Sequence, residues 1–505
     1  MYLRAGVLSL GLLIASRVLG LLRESAQAAA FGSTGLGDAV IVMFTLPDLL
    51  VGILFSGALS YVLLPLWAQQ NRADQQASQK KVARLLLISG MVLGTIVFVF
   101  RDLVGHALAP GLVGDMKTLG ANSLLWSAAV LPLAMLAALW VTRLQHERDF
   151  IGMYAGNLLV NVLLVAALFF VRADSATFGG GDGTAAVLLL GDFLLLAMLA
   201  RLGWLYWRLP KARSGAASDA AAGVPTAGSA DLPKASVWLW AALSSGLLLL
   251  LPLIGRSLAS QSGEGALASF NYAWKLVELP LVLAIQLVAS LAFPAITRTE
   301  EGSHERKQAL QMAFTLAWAL ACAAIAVVAT FSLPLAGLLF GWGRMSAGNL
   351  EVIAQWSAAG IWSLLPQALI AVLLTVMATS RQMHVAVWAY VGGVLALAVA
   401  GALGLVNGVA VMWALNAVLA GVALSLLFSQ RRSLDGALPW AAMLVPLMAC
   451  VLLVLLKPWL THFSLPVALP LALPLAAVFA LTVLGTAFLS SPILRSKFGL
   501  KRRLA

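Results

Sequence analysis

Residues 5–23 of the chain read AGVLSLGLLIASRVLGLLR, an apolar run that holds two arginines, Arg17 and Arg23. No charged residue lies between Arg4 and Arg17, and Glu24 follows directly after Arg23. The run has the length of a membrane-spanning helix, which needs about 20 mostly apolar residues. An arginine at the centre of a bilayer costs at least about 2.5–3.5 kcal/mol on insertion scales. The two guanidinium groups are therefore predicted to face a water-filled cavity or an anionic partner rather than lipid.

The rest of the chain has the composition of an integral membrane protein. Of its 505 residues, 61% are hydrophobic and only 10% are charged, and the mean hydropathy is +0.96. A soluble domain of this size does not contain so many long apolar runs. The net charge of +12 comes from basic residues in the short connectors between these runs, so we predict no nucleic-acid binding. Cys322 and Cys450 lie inside apolar runs and predict neither a disulfide framework nor a metal or redox site.

About fourteen apolar runs are long enough to span a bilayer, which predicts an all-α integral membrane protein. Their approximate limits are 5–30, 38–66, 83–100, 121–142, 151–171, 184–207, 236–260, 266–294, 308–331, 350–379, 383–405, 408–429, 437–456 and 466–490. Basic residues concentrate in the connectors after even-numbered runs and in the C-terminal tail. The positive-inside rule therefore predicts a multi-pass protein with both termini in the cytoplasm.

The largest hydrophilic connector, residues 209–235, divides the predicted spans into two groups. It is rich in Ala, Gly, Ser and Pro, which is typical of a flexible linker. We predict an N-terminal lobe of six spans at 1–208, a C-terminal lobe of six spans at 236–430, and two further helices with a basic cytoplasmic tail at 431–505. Two pseudo-symmetric six-helix lobes of this kind are common in transporters, where the substrate site lies between the repeats.

The charged side chains inside the predicted spans form a small set. They are Arg17, Arg23, Glu24, Asp38, Asp48, Asp192, Arg201, Arg256, Lys275 and Glu278. Guanidinium groups suit the planar, bidentate recognition of phosphate. We therefore predict an internal cationic pocket for a phosphorylated substrate. The predicted substrate-binding residues are Arg17, Arg23, Lys275, Arg256 and Ser16, and the predicted charge-balancing or gating residues are Glu24, Asp38 and Glu278.

An alternative interpretation is that these charges form structural ion pairs between helices. Lys275 and Glu278 are three residues apart and can pair on one helix face. Arg201 lies near the cytoplasmic end of its span, and we expect its side chain to snorkel to the interface.

The sequence holds no motif of a known enzyme mechanism. Its five histidines are scattered over connectors and span ends, and no HExxH motif, nucleophile elbow or P-loop is present. We predict a transport protein rather than an enzyme, with no cofactor and no metal site. Without an ATPase domain, transport must be driven by something other than direct ATP hydrolysis.

Spans one, two and eight carry short motifs with a recognisable order. They are Ser16-Arg17-Val18-Leu19-Gly20, Arg23-Glu24, Gly37-Asp38-Ala39, Leu46-Pro47-Asp48-Leu49-Leu50, Gly57-Ala58-Leu59-Ser60 and Tyr272-Ala273-Trp274-Lys275-Leu276-Val277-Glu278-Leu279-Pro280. Together they resemble the MurJ (MviN) lipid II flippases of the multidrug/oligosaccharidyl-lipid/polysaccharide (MOP) exporter superfamily. The family's fourteen spans match the number predicted here.

This resemblance implies a flippase of the bacterial cytoplasmic (inner) membrane. Such a protein moves undecaprenyl-pyrophosphate-linked peptidoglycan precursor, lipid II, to the periplasmic leaflet by alternating access, for cell wall biosynthesis. The resemblance implies a central cationic cavity in which Arg17 and Arg23 match family arginines and Asp38 matches a family acidic position. The implied partners are the lipid-linked glycan, membrane lipid and the cell-wall synthesis machinery, and we expect a monomer.

The chain departs from the family pattern at three positions. Val51 and Ser56 stand where the family usually has an arginine and a glutamate, and Lys275 replaces an arginine. Lysine keeps the charge but loses the bidentate fork, and Arg256 is a candidate to compensate. Spans nine to twelve contain a single carboxylate, Glu351. We therefore predict no sodium site and expect the membrane potential or an ion gradient, such as a proton gradient, to drive transport.

These departures leave a second function open. In this alternative, the chain is a flippase for another polyprenyl-pyrophosphate-linked glycan, such as an exopolysaccharide or O-antigen repeat. A multidrug cation exporter of the same superfamily would require an acidic cavity, whereas we predict a cationic pocket here. A membrane-embedded glycan polymerase or ligase normally has a large periplasmic loop, which the sequence lacks.

Overall fold

A computed structural model describes residues 2–54, 59–174, 183–215, 232–297, 299–300, 303–380, 382–434, 436–462 and 469–497. Within these ranges the regular structure is entirely helical, which confirms the predicted all-α class. Ser56 and residues 216–231 of the predicted linker lie outside the described residues.

The first compact unit comprises Met1–Ala268 together with Trp342–Met345. Its helices are α1 (Tyr2–Phe31), α2 (Gly35–Ile53), α3 (Leu59–Gln69), α4 (Arg72–Val99), α5 (Arg101–Leu108), α6 (Gly114–His146), α7 (Phe150–Asp174), α8 (Thr184–Gly215) and α9 (Ala235–Ala259), followed by a 3-10 turn at Ser260–Ser262. Helix α6 lies at the centre and packs on α2, α4 and α8, while α7 packs on α1 and α8. This arrangement places α1, α2 and α9, which carry most of the predicted site residues, in one packed unit.

The second compact unit comprises Ser269–Gly341 and Ser346–Ala505. Its helices are α10 (Ala266–Pro280, which begins in the first unit), α11 (Gln286–Thr297), α12 (His304–Phe340), α13 (Ala347–Gly360), α14 (Leu364–Thr379), α15 (Met383–Ala402), α16 (Gly408–Ser429), α17 (Trp440–Leu455), α18 (Lys457–His462), α19 (Leu469–Ser490) and α20 (Pro492–Lys497). A π-helical segment, Leu281–Ile285, joins α10 to α11, and a 3-10 turn, Ile361–Ser363, joins α13 to α14. Helix α12 is central here and packs on α11, α13, α14, α17 and α19.

The apolar helices identify a multi-pass membrane protein. Twelve helical segments among the described residues are long and apolar enough to cross a membrane. The two other predicted spans fall on α1 and on α10 with α11, where the π-helical segment divides the span into shorter pieces. The predicted number of fourteen spans is consistent with these segments.

The compact units do not divide at the predicted linker. Helix α9 packs on α2 and α3, and Ser245 Oγ donates a hydrogen bond to the carbonyl of Ile53 at 3.2 Å. Because of these contacts α9 belongs to the first unit, and the division falls between Ala268 and Ser269. The functional lobes at 1–208 and 236–430, and the C-terminal region at 431–505, stay predictions.

A tight turn joins the two helices that carry the first motifs. Helix α1 ends at Phe31 and is followed by Gly32, whose φ of +65° is in the left-handed region that favours glycine. Thr34 then caps α2, because its Oγ1 accepts a hydrogen bond from the Gly37 amide at 3.4 Å. The short turn fixes where the end of α1 meets the start of α2.

Small residues bring α4 and α6 into close contact. A methyl group added at Gly90 would collide with the backbone of Pro132, and one added at Gly94 would collide with the carbonyl of Ala128. In lipid, helices associate through van der Waals packing rather than through a hydrophobic driving force, so small residues at the interface stabilise the pair.

The connection between α12 and α13 packs on the first unit. The Arg344 amide donates to the carbonyl of Ala29 at 3.0 Å, and Ser33 Oγ lies 3.7 Å from the sulfur of Met345. These contacts with the end of α1 and the following turn assign Trp342–Met345 to the first unit.

Candidate functional site

Arg23 lies at the centre of the charged residues in the first unit. Its Nη2 contacts Glu24 Oε1 at 3.0 Å and Asp48 Oδ2 at 3.2 Å. The guanidinium carbon also lies 5.3 Å from the centroid of the Phe44 ring, within the range of a cation–π interaction. The Arg23 side chain is 13% exposed, so two carboxylates and an aromatic face surround a largely buried cation.

The same helix that carries Asp48 also binds Arg256. Arg256 Nη2 donates to Thr45 Oγ1 at 2.7 Å, and Thr45 Oγ1 donates to the carbonyl of Ile41 at 2.6 Å. Thr45 and Asp48 are three residues apart and therefore lie on neighbouring parts of one α2 face. The structure thus brings Arg256 of α9 and Arg23 of α1 to the same helix.

Ser16 and Arg17 have different environments although they are neighbours in sequence. Ser16 is buried, and its Oγ accepts a hydrogen bond from Asn157 Nδ2 of α7 at 2.7 Å. Arg17 is exposed, and with the residues that the structure describes it makes no hydrogen bond or ion pair. Ser16 therefore fixes α1 against α7, while Arg17 keeps its five donors available. Contact of either residue with a substrate stays a prediction.

Asp38 binds backbone amides rather than a basic side chain. Its carboxylate is 2% exposed and accepts hydrogen bonds from the amides of Gly265 at 2.9 Å and Ala268 at 2.7 Å. These amides lie at the start of α10, where the helix dipole favours a negative charge. The geometry gives Asp38 the role of a helix cap, and its predicted gating role stays a prediction.

Lys275 and Glu278 lie on α10 in the second unit. Lys275 Nζ and Glu278 Oε2 are 2.9 Å apart, which confirms the pairing predicted from their spacing. The two side chains are 30% and 36% exposed, so this pair is more accessible than the one around Arg23. The predicted contact of Lys275 with substrate stays a prediction.

The sequence interpretation of Arg201 was wrong. This residue is 4% exposed and does not snorkel to the interface. It belongs to the buried stripe of α8 that also contains Leu194, Ala197, Met198 and Leu205, and α8 packs on α2, α6 and α7. We refer to Arg23, Glu24 and Asp48 as the arginine cluster.

Packing explains two other positions in the first unit, Asp192 and Val51. Asp192 Oδ1 accepts a hydrogen bond from Trp126 Nε1 at 2.9 Å, which links α8 to α6. Val51 packs against the apolar core that α2 forms with α6, α7 and α8. The position at which the family pattern places an arginine is therefore occupied here by an apolar contact.

The predicted spans of the first unit contain guanidinium groups that can bind an anionic ligand. The charged candidates in these spans are four arginines, Arg17, Arg23, Arg201 and Arg256, and four carboxylates, Glu24, Asp38, Asp48 and Asp192. Asp38 is held by backbone amides. Within the described ranges no group of three or more His, Cys, Asp or Glu side chains is placed to hold a metal ion.

A solved structure has the same fold as this chain. It is described as "Lipid II flippase MurJ, inward closed conformation", and it aligns with a TM-score of 0.76 and 14% sequence identity. The alignment covers 95% of this chain and 99% of that structure. The likeness extends the fold assignment over nearly the whole molecule.

Curated relatives match a large central part of the sequence. A "Lipid II flippase MurJ" from Burkholderia cenocepacia is 25% identical over 367 residues, which are 68% of this chain and 67% of that protein. A "Probable lipid II flippase MurJ" from Rhizobium tropici is 24% identical over 355 residues, and the match spans only 64% of its length. A family model described as "Lipid II flippase MurJ" matches residues 27–479. The chain therefore belongs to the MurJ family.

Proposed function

We propose that this protein is a flippase that moves lipid II, a polyprenyl-pyrophosphate-linked peptidoglycan precursor, from the cytoplasmic to the periplasmic leaflet. The family match over residues 27–479 is the observation that carries this proposal. The arginine-rich interior of the first unit supports it, because the pyrophosphate of such a lipid is the group that guanidinium forks bind best.

In this proposal the pyrophosphate enters the cavity and binds Arg17 and Arg23 while the polyprenyl tail stays in lipid. Arg17 binds first because it is exposed and already has free donors. Binding to Arg23 replaces part of its contact with Asp48, which is the more exposed of its two carboxylate partners. Alternating access then carries the head group across, and the protein makes or breaks no covalent bond.

The driving force we propose is the membrane potential or an ion gradient, without a cofactor. A potential that is negative inside favours movement of an anion towards the periplasm, by about 2.3 kcal/mol per charge per 100 mV. The basic connectors support a topology with both termini in the cytoplasm of a bacterium. We further propose that the protein acts as a monomer next to the enzymes of cell-wall synthesis.

Complementation tests the substrate. A bacterium in which the resident lipid II flippase can be depleted is transformed with this chain, with the empty vector, or with the resident flippase as the positive control. We expect the chain to restore growth and cell shape, and immunoblots of the membrane fraction measure its abundance.

Absence of rescue at a membrane abundance equal to that of the positive control would contradict the lipid II proposal. The same plasmids in a strain that lacks its O-antigen or exopolysaccharide flippase then test the alternative glycan. That alternative is favoured by Val51 and Lys275, the two described positions at which the expected arginines are absent.

A further inference from the structure

A cavity at the end of α16 is lined by none of the proposed transport residues. It has a volume of about 630 Å³, which is within the range of small-molecule sites. Its lining comes from the last two turns of α16, the turn that follows and the start of α17, all within the second unit. The lining is apolar apart from the turn backbone and one charged side chain, Arg431.

The apolar wall of this cavity faces outwards. Leu424 and Phe428 are four residues apart on α16 and are 64% and 68% exposed, and Trp440 of α17 is 63% exposed. Both helices are long and apolar enough to cross a membrane, so these side chains contact lipid near the ends of their spans. A tryptophan at such an end is typical of the membrane interface. The cavity is therefore open to the bilayer at the level of the head groups.

Arg431 places a cation at the mouth of this apolar wall. The side chain is exposed, and its guanidinium carbon lies 4.3 Å from the centroid of the Phe428 ring, which is a cation–π contact. Stacking uses the flat face of the guanidinium and keeps its N–H donors at the edge, where they can bind a phosphate.

Other cations lie around the same cavity. Arg432 is exposed, and a methyl group built on Gly436, which lines the cavity, would lie 3.8 Å from Lys307 Nζ of α12. Residues 429–440 contain one acidic residue, Asp435, which lies outside the described residues. Two arginines of this segment and Lys307 therefore outnumber its carboxylate, and the local charge is complementary to an anionic head group.

Hydrogen bonds hold the turn between α16 and α17 in place. Gln311 Nε2 of α12 donates to the carbonyl of Gly436 at 2.9 Å, and Gln430 Nε2 donates to Gln382 Oε1 at 2.6 Å. Leu434, which lies between these two anchors and lines the cavity, is buried. The cavity is therefore a preformed part of the fold.

We propose that this cavity is a binding site for an anionic glycerophospholipid of the surrounding membrane. An acyl chain packs on the wall formed by Leu424 and Phe428, and the phosphate binds Arg431 with Lys307 nearby. In the proposed topology this turn is cytoplasmic, on the side where basic pockets between helices bind anionic head groups. The site is separate from transport of lipid II and does not depend on it.

The charge of the site disfavours the occupants that the chain itself could supply. A second copy that docked through the same face would bring two sets of cations together. The C-terminal tail contains Lys501, Arg502 and Arg503, so it has the same sign of charge as the cavity. A phospholipid supplies both the opposite charge and the apolar chain that the lining requires.

The test measures lipid binding by the purified full-length chain with native mass spectrometry. Dissociation constants are obtained for dioleoyl phosphatidylglycerol and dioleoyl phosphatidylcholine, which have the same acyl chains but differ in net charge. The variants are Arg431→Gln, Arg431→Lys and Leu427→Trp, the last of which fills the cavity. The matched control is Arg495→Gln, because Arg495 is an exposed arginine on α20 of the same unit and does not line the cavity.

We expect the wild type to prefer phosphatidylglycerol by about fivefold or more, the factor that one basic residue contributes near an anionic membrane surface. Arg431→Gln should remove most of this preference, and Arg431→Lys should retain part of it because the charge stays while the guanidinium fork is lost. Leu427→Trp should weaken the binding of both lipids, and Arg495→Gln should match the wild type.

Equal affinity of the wild type for the two lipids would overturn the inference. So would an equal loss of preference in Arg431→Gln and Arg495→Gln, which would indicate general attraction to a basic surface. Unchanged binding by Leu427→Trp would show that the acyl chain lies elsewhere, and if this variant cannot be recovered from membranes the comparison of Arg431→Gln with Arg495→Gln decides the matter.

A competition experiment separates this site from the transported lipid. Undecaprenyl diphosphate at an equal concentration should leave phosphatidylglycerol bound, and its displacement of phosphatidylglycerol would assign the cavity to a polyprenyl lipid and overturn the proposal. Growth rescue by a chain without a lipid preference removes only this inference. A preference for phosphatidylglycerol without growth rescue removes only the proposed lipid II function.

Discussion

The arginine cluster of the first unit and the Lys275–Glu278 pair of the second unit both place opposite charges on apolar helices, but they differ in burial and in stoichiometry. Arg23 is 13% exposed and contacts two carboxylates, Glu24 and Asp48. Lys275 and Glu278 lie one helical turn apart with about a third of each side chain exposed. The cluster joins two helices, α1 and α2, whereas the pair is formed within one.

The difference in burial and in the number of helices involved indicates how each arrangement contributes to stability and to ligand binding. A pair within one helix forms as soon as the helix forms and contributes about 0.2–0.5 kcal/mol. A cluster between helices forms only when the bundle is assembled, and it keeps charge in a poorly solvated space where an anion is attracted strongly. We therefore expect the cluster to determine ligand binding and the pair to adjust it.

Arg23→Ala should have the largest effect on growth rescue and thermal stability. It tests most directly whether the arginine cluster differs in importance from the Lys275–Glu278 pair. It removes the Arg23 contact of Glu24, whose side chain is 8% exposed, and loss of a buried ion-pair partner costs up to about 3–5 kcal/mol. We expect loss of growth rescue and a lower thermal midpoint of the purified protein. Full rescue by Arg23→Ala at normal membrane abundance would show that the cluster is not the binding site.

Arg17→Ala should separate binding from stability within the first unit. Arg17 is exposed, so its removal should change the free energy of unfolding by no more than about 0.5 kcal/mol. Rescue should nevertheless weaken, with transport falling about tenfold or more for the loss of a charge-assisted contact. Transport is measured as the amount of lipid II that is accessible from outside spheroplasts. The control variant is Arg101→Ala, at the start of α5. Equal transport by Arg17→Ala and Arg101→Ala would contradict a binding role.

The smallest effect should come from exchanging the pair in the second unit. The double variant Lys275→Glu with Glu278→Lys keeps an ion pair on the same helix face, so its thermal midpoint should stay within the change expected for about 0.5 kcal/mol. Growth rescue should fall partly, because the cation has moved by one turn. A large loss of stability would mean that the pair is as important to the structure as the arginine cluster.

Much of the fold could be predicted because a long apolar run that crosses a membrane must satisfy its backbone hydrogen bonds internally. A single segment does this by forming a helix. Where the structure describes them, the fourteen predicted spans fall on helices, although the second covers parts of both α2 and α3, and Leu281–Ile285 and Ile361–Ser363 interrupt two others. The pairing of Lys275 with Glu278 was also predictable, since it depends only on a spacing of three residues.

The contacts of Arg201 and Asp38 could not be predicted in the same way. Helix α8 is apolar on nearly all sides, so its sequence does not mark which face is buried, and Arg201 was assigned to the interface. Asp38 binds amides that follow it by 227 and 230 residues in the chain, at a helix start that has no basic side chain to suggest the contact. Such roles depend on helix packing rather than on local pattern.

The segment Trp342–Met345 has a consequence for how the protein is made. Its contacts with Ala29 and Ser33 complete a unit whose remaining residues end at Ala268. The ribosome must therefore synthesise α10, α11 and α12 before the N-terminal unit has all its parts, which takes several seconds at about 5–20 residues per second. Until then the turn after α1 lacks the contacts that Arg344 and Met345 make with Ala29 and Ser33.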